Sequence, residues 1–192
     1  MSFRWTVAAF TVMLAACQQT ADAGPQPERI DLDEVGSGMP GADPSPDTSE
    51  GRWRVAEGGQ GIDFAIPGQD PWLSLECHLG NEPAEFAIVR HAEALPGQKA
   101  LFPFVGNGMR SRFFADAALA GGEWRWQAEL PADDPQLDVF AGTRDFTATL
   151  PGHGMLEIRG SRMPGEFLDW CRKGGETVLP GSEPAAGESD AD

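Results

Sequence analysis

Tyrosine is absent from these 192 residues; histidine and cysteine occur three times each, and 14 Lys+Arg stand against 30 Asp+Glu. The formal charge of −16 argues against a nucleic-acid binder, which needs a basic face to displace counterions, and equally against electrostatic docking on anionic lipid. Long apolar runs are missing too. The longest, WTVAAFTVMLAA at 5–16, has roughly a dozen residues where a membrane-crossing helix needs about 20. Catalytic signatures are scarce: there is no G-x-S-x-G, no S-x-x-K and no C-x-x-C, and only Ser74 and Ser111 fall within expected strands. GGQG is too short for a phosphate loop and no helix follows it, and no spacing of acids picks out a glycosidase pair. Without tyrosine as a general acid or base, and in a modest domain, an enzyme is disfavoured.

The apolar run follows a single Arg4 and ends on Leu14-Ala15-Ala16-Cys17. Its length is that of a signal-peptide apolar region behind a short positive start. Leu14 to Cys17 resembles the bacterial lipobox. That resemblance implies cleavage after residue 16, a diacylglycerol on the Cys17 thiol and a fatty acid such as palmitate on the new amino terminus. Gln18, where aspartate would imply retention at the inner membrane, implies sorting to the outer one. Several acyl chains, at about 0.8 kcal/mol per buried methylene, make such an anchor effectively permanent.

Residues 17–51 after the lipobox are rich in Pro, Gly, Ser and acid, with scarcely an apolar cluster. Such a chain cannot bury enough surface to offset its entropy and reads as a disordered linker, with an end-to-end distance of roughly 30–35 Å. Residues 174–192 read as a second, acidic tail. Between them, 52–173 is one domain of ordinary size.

With Cys17 lipidated, Cys77 and Cys171 remain as an even pair in an exported, oxidising setting. Their bridge would close a loop of about 95 residues and contribute roughly 4–5 kcal/mol in the chain-entropy description. WRWQAEL (124–130) alternates apolar and polar residues, IDFAI (62–66) and RDFTATL (144–150) do so similarly, and LDVFAG (137–142) less cleanly. Turn residues separate eight to ten such segments, which predicts a mainly β domain, an antiparallel β-sandwich or barrel. Only MPGEFLDWCRKGG has helix period. Pro164 in its first turn and Gly174-Gly175 as a stop predict a short C-terminal helix docked by the Cys77–Cys171 disulfide.

Registers follow from keeping apolar side chains on one face. A loop at Gly80–Pro83 sets Cys77 opposite Phe86, with Leu73, Leu75, Cys77, Phe86 and Ile88 in the core. Trp72, Ser74, Glu76, His78, Glu85, Val89 and His91 then form a solvated polar face. Gly121-Gly122 as a two-residue turn pairs Ala120 with Glu123. A loop at Gly152–Gly154 sets Leu150 opposite Leu156 and Ala148 opposite Ile158.

On the polar face only His78 and Glu85 are directly opposed, too few to ligate a metal, and no metal or cofactor is expected. His153 between two glycines reads as a turn residue. Arginine interleaved with aromatics is the remaining signal, because both are enriched in binding hot spots. Arg110, Arg112 and Arg125 share the exposed face and would receive an acidic or carboxylate-bearing partner. Arg112 is six residues from Ala118, the residue opposite Arg125, about 20 Å along a strand, so the three make a long stripe. The domain's general plan is similar to that of the C-type lysozyme inhibitors of bacterial envelopes. That family's inhibitory segment is not found, and GNGMRSRFF is a loose echo of it. The expectation is a lipid-anchored binding or interaction module facing the periplasm, with an envelope protein as possible partner. An inhibitor of an envelope-directed enzyme comes second, and a hydrolase with an unrecognised site third.

Overall fold

The computed structural model describes residues 42–80 and 82–176. Cys17, the lipobox and most of both flanking segments therefore lie outside the described residues. Nine strands form one antiparallel sheet: β1 (Arg52–Val55), β2 (Gly61–Ala65), β3 (Leu73–His78), β4 (Glu85–Arg90), β5 (Lys99–Gly106), β6 (Met109–Ala120), β7 (Glu123–Pro131), β8 (Phe146–Thr149) and β9 (Met155–Ile158). Their order is β1-β2-β3-β4-β7-β6-β5-β8-β9. A 3₁₀ helix at Pro135–Phe140 and helix α1 (Met163–Arg172) complete the fold.

The sheet rolls over its own apolar face. Four ladder steps separate β4 from β8, about 19 Å if the sheet were flat. Yet Phe86 of β4 and Phe146 of β8 both pack on Phe140 of the 3₁₀ helix, with ring centroids 6.0 and 5.8 Å away. Phe86, Phe102, Phe104, Phe113, Phe140 and Phe167 are all fully buried. With phenylalanine in place of tyrosine, this core has no phenolic hydroxyl to satisfy. Before β1, residues 42–51 bridge the sheet's two edges. The Asp43 amide donates to the Gly152 carbonyl and the Thr48 hydroxyl to the Glu157 carbonyl, while Gly51 abuts Phe64 of β2. This part of the segment read as linker is thus bonded to β9 and belongs to the folded unit.

Helix α1 buries Phe167, Leu168, Trp170 and Cys171. Cys171 is bridged to Cys77, with Cα atoms 5.7 Å apart and a sequence separation of 94. Arg172 adds a second clasp, donating through Nε to the Ala132 carbonyl and pairing with Asp138 at 2.8 Å. The disulfide and helix lie at the end of β3 carrying Cys77. The opposite end, where β3 begins and β4 finishes, receives Asp43.

Three expectations need correction. Residues 137–142 do not form a strand: Asp134 accepts from the Gln136 amide and Pro135 starts a helical turn, so the segment winds into the 3₁₀ helix. In β8–β9, Ala148 pairs with Leu156 and Phe146 with Ile158, two residues from the expected register. The cause is the turn: the His153 amide donates to the Leu150 carbonyl, with Pro151 and Gly152 (φ 87°) as its central residues, the pattern of a type II turn. A slip of two leaves every side chain on its own face. Finally, the outer face of β3–β4 is not wholly solvated, since Ser74, Ala87 and Val89 are buried there. These strands are central, and β2 and β7 flank them with longer side chains. The β3–β4 and β6–β7 registers match expectation, from Cys77 opposite Phe86 to Ala118 opposite Arg125.

Candidate functional site

The end of the sheet that receives Asp43 also carries an open cleft of about 710 Å³. Pro71, Ala92, Ala94, Leu95 and Trp124 form its apolar wall, and Asp70, His91, Glu93, Glu123 and Arg125 contribute polar groups. The β6–β7 turn presents Trp124 and Arg125, since Gly121 and Gly122 (φ 61° and 87°) allow strands to reverse in two residues. Arg125 Nη2 contacts Glu123 Oε2 at 3.1 Å.

His91 joins this cleft to a polar chain on the outer face. Asp63 of β2 lies opposite Ser74 of β3, and Ser74 Oγ is 2.6 Å from Asp63 Oδ1 and 2.7 Å from His91 Nε2. Arg54 Nε stands 3.7 Å from the other Asp63 oxygen. Ser74 has one hydroxyl proton, and the carboxylate needs it. His91 Nε2 must therefore donate to Ser74 Oγ, leaving the lone pair on Nδ1. Burial first, then the charge of Arg125, lowers the His91 pKa to about 4, so the ring is neutral at pH 7.

These three residue types are those of a serine hydrolase, but the polarity is reversed. A nucleophilic serine gives its proton to the imidazole, and the carboxylate orients the far ring nitrogen. Here the carboxylate takes the serine proton directly, and Ser74 is 3 % exposed. The chain of bonds holds the His91 ring at the cleft; it does not activate an attacking oxygen. Ser111, the other strand serine, is interior and donates to the Gln136 carbonyl at 2.6 Å.

Beside the cleft Arg90 is buried, with Nη1 donating to the Trp72 and His91 carbonyls at 3.0 and 3.3 Å. Its Nη2 donates to the His153 carbonyl at 3.4 Å, while Nε has no partner. Desolvation lowers its pKa to about 10, offset in part by Asp43, and the charge persists at pH 7. The His153 ring meets Asp43 Oδ2 through Nδ1 at 2.8 Å.

The three arginines read as a receiving stripe do lie on one face, but not in one place. Arg125 lines the cleft, whereas Arg110 and Arg112 are exposed on β6 toward its other end, opposite Val105 and Pro103 of β5. Of the histidines, His78 stands 3.7 Å from Glu76 and 3.8 Å from Glu129, far from His91 along the hairpin. Among the described residues no three His, Cys, Asp or Glu side chains are gathered as metal ligands. No motif or spacing in the sequence marks Asp63, Ser74, Asp70, Glu93 and Leu95 as parts of one site. A pointer to Asp63 was the PGQD turn, which folds IDFAI back onto LSLEC.

The chain matches no protein-family model, and no curated protein and no solved structure shows significant similarity to it.

Proposed function

We propose that this chain is a lipid-anchored binding module of the cell envelope, facing the periplasm from the outer membrane. The Cys17 lipobox and the buried Cys77–Cys171 disulfide support that setting. Its ligand is a small zwitterion held without chemical conversion. The observation that carries this is the composition of the cleft: one cation, Arg125, in contact with Glu123, shares the lining with the acids Asp70 and Glu93 and with an apolar wall that includes Trp124. A carboxylate pairs with Arg125, an ammonium group with the acids and the free His91 Nδ1, and the ligand body lies against Leu95 and Trp124.

Calorimetric titration of the full chain with alanyl-alanine tests this, beside the N-acetylated and C-amidated forms that each lack one charge. The zwitterion should bind about tenfold more tightly than either, as expected for losing one charge-assisted contact of about 1.4 kcal/mol. Equal affinity for all three, or no binding, would overturn the reading.

A further inference from the structure

A second surface lies on the outer face of β5 and β6. Cross-strand partners there are Lys99 with Asp116, Leu101 with Phe114, Pro103 with Arg112 and Val105 with Arg110. Phe114 is 83 % exposed, and Leu101 and Val105 are exposed beside it. An aromatic side chain in water on a regular strand is unusual where the same strand buries Phe113 completely. Lys99 and Asp116 neutralise each other, with Nζ 2.5 Å from Oδ1. Arg110 and Arg112 make no ion pair among the described residues. The face is therefore cationic and apolar on a chain of formal charge −16.

We propose that this face docks an extended acidic segment of a partner protein, with acids at alternate positions followed by an aliphatic residue. Arg110, Arg112 and Phe114 stand on one side of a strand at a spacing of roughly 6.6 Å, the spacing of alternate residues in an extended peptide. An acid-x-acid-x-aliphatic segment thus meets both guanidinium groups and the Phe114–Leu101 patch together. Charge complementarity selects this occupant. A second copy using the same face would oppose arginine to arginine, and the chain's acidic surplus disfavours an anionic membrane.

The test is fluorescence anisotropy of a labelled Ser-Glu-Ser-Glu-Ser-Leu-Ser peptide and its Ser-Ser-Glu-Glu-Leu-Ser-Ser rearrangement with the full chain. The alternating peptide should bind more tightly, weaken with salt, and lose about tenfold or more affinity in Arg110→Glu with Arg112→Glu and in Phe114→Ser. Absent binding, equal binding of the two peptides, or binding indifferent to these substitutions in variants with wild-type near-ultraviolet dichroism would overturn the proposal. So would arginine-dependent binding to phosphatidylglycerol vesicles in place of the peptide.

Discussion

The Arg90 guanidinium lies 3.4 Å from the His153 carbonyl, joining β4 to the β8–β9 turn across four steps of the sheet. One buried cation thereby ties three segments: the entry to β3 at Trp72, the exit of β4 at His91 and the turn at His153. Arg90→Ala removes this clamp and leaves a void, and should cost about 2–4 kcal/mol in urea unfolding. Arg90→Met keeps the volume without a buried charge and should cost clearly less. Equal losses would mean that the guanidinium's hydrogen bonds, and not the volume it fills, hold the three segments together.

His91 makes stability depend on pH. Its folded pKa of about 4 lies below the ordinary 6.5, so the unfolded chain takes up the proton first as pH falls. Stability is unaffected by this group above pH 6.5 and falls between 6.5 and 4, by roughly 2–4 kcal/mol in total. In His91→Gln, which keeps a donor for Ser74, the unfolding free energy should run flatter across that window. Parallel curves for the two proteins would show that His91 is not the group responsible.

The Cys77–Cys171 bridge holds α1 on the sheet end opposite the cleft. Replacing both cysteines by alanine should lower stability by about 2–5 kcal/mol, while the affinity of the cleft for its ligand stays near wild type. Loss of binding in a variant that remains folded would couple the two ends of the domain.

The anchor is tested by labelled palmitate. Wild-type chain should incorporate it and partition into detergent, whereas Cys17→Ser should accumulate as unprocessed, unlabelled precursor. Processing and membrane fractionation identical to wild type in the variant would contradict lipidation at Cys17.

Much of this architecture is legible in the residues, for local reasons. Alternation from Leu73 to Cys77 and from Phe86 to Ile88 puts all five on one face, the Gly80–Pro83 loop sets which register they take, and Gly121-Gly122 specifies a two-residue turn. The β8–β9 register is different, because a shift of two preserves the alternation and only the Leu150–His153 turn decides it. LDVFAG carries apolar residues that suit a strand, and the Asp134-Pro135 cap before it tips the balance to a 3₁₀ helix.

The cleft is less legible, because it depends on the lateral order of the strands. Arg125 was visible as a candidate, and its separation from Arg110 and Arg112 follows from the register alone. His91 and Asp70 come together with it only when β2, β3, β4 and β7 lie side by side. The same lateral order turns Asp63, Ser74 and His91, spread over 63–91, into one chain of hydrogen bonds.

The most direct measurement of the central claim is a binding cycle across Arg125. Alanyl-alanine and its C-amide are titrated into the wild-type chain and into Arg125→Gln, with the N-terminal amine constant throughout. In wild type the acid should bind about tenfold more tightly than the amide; in Arg125→Gln the two should bind alike, at the affinity of the amide for wild type. A preference for the acid that survives loss of Arg125, or no preference in wild type, would contradict a carboxylate held by this residue.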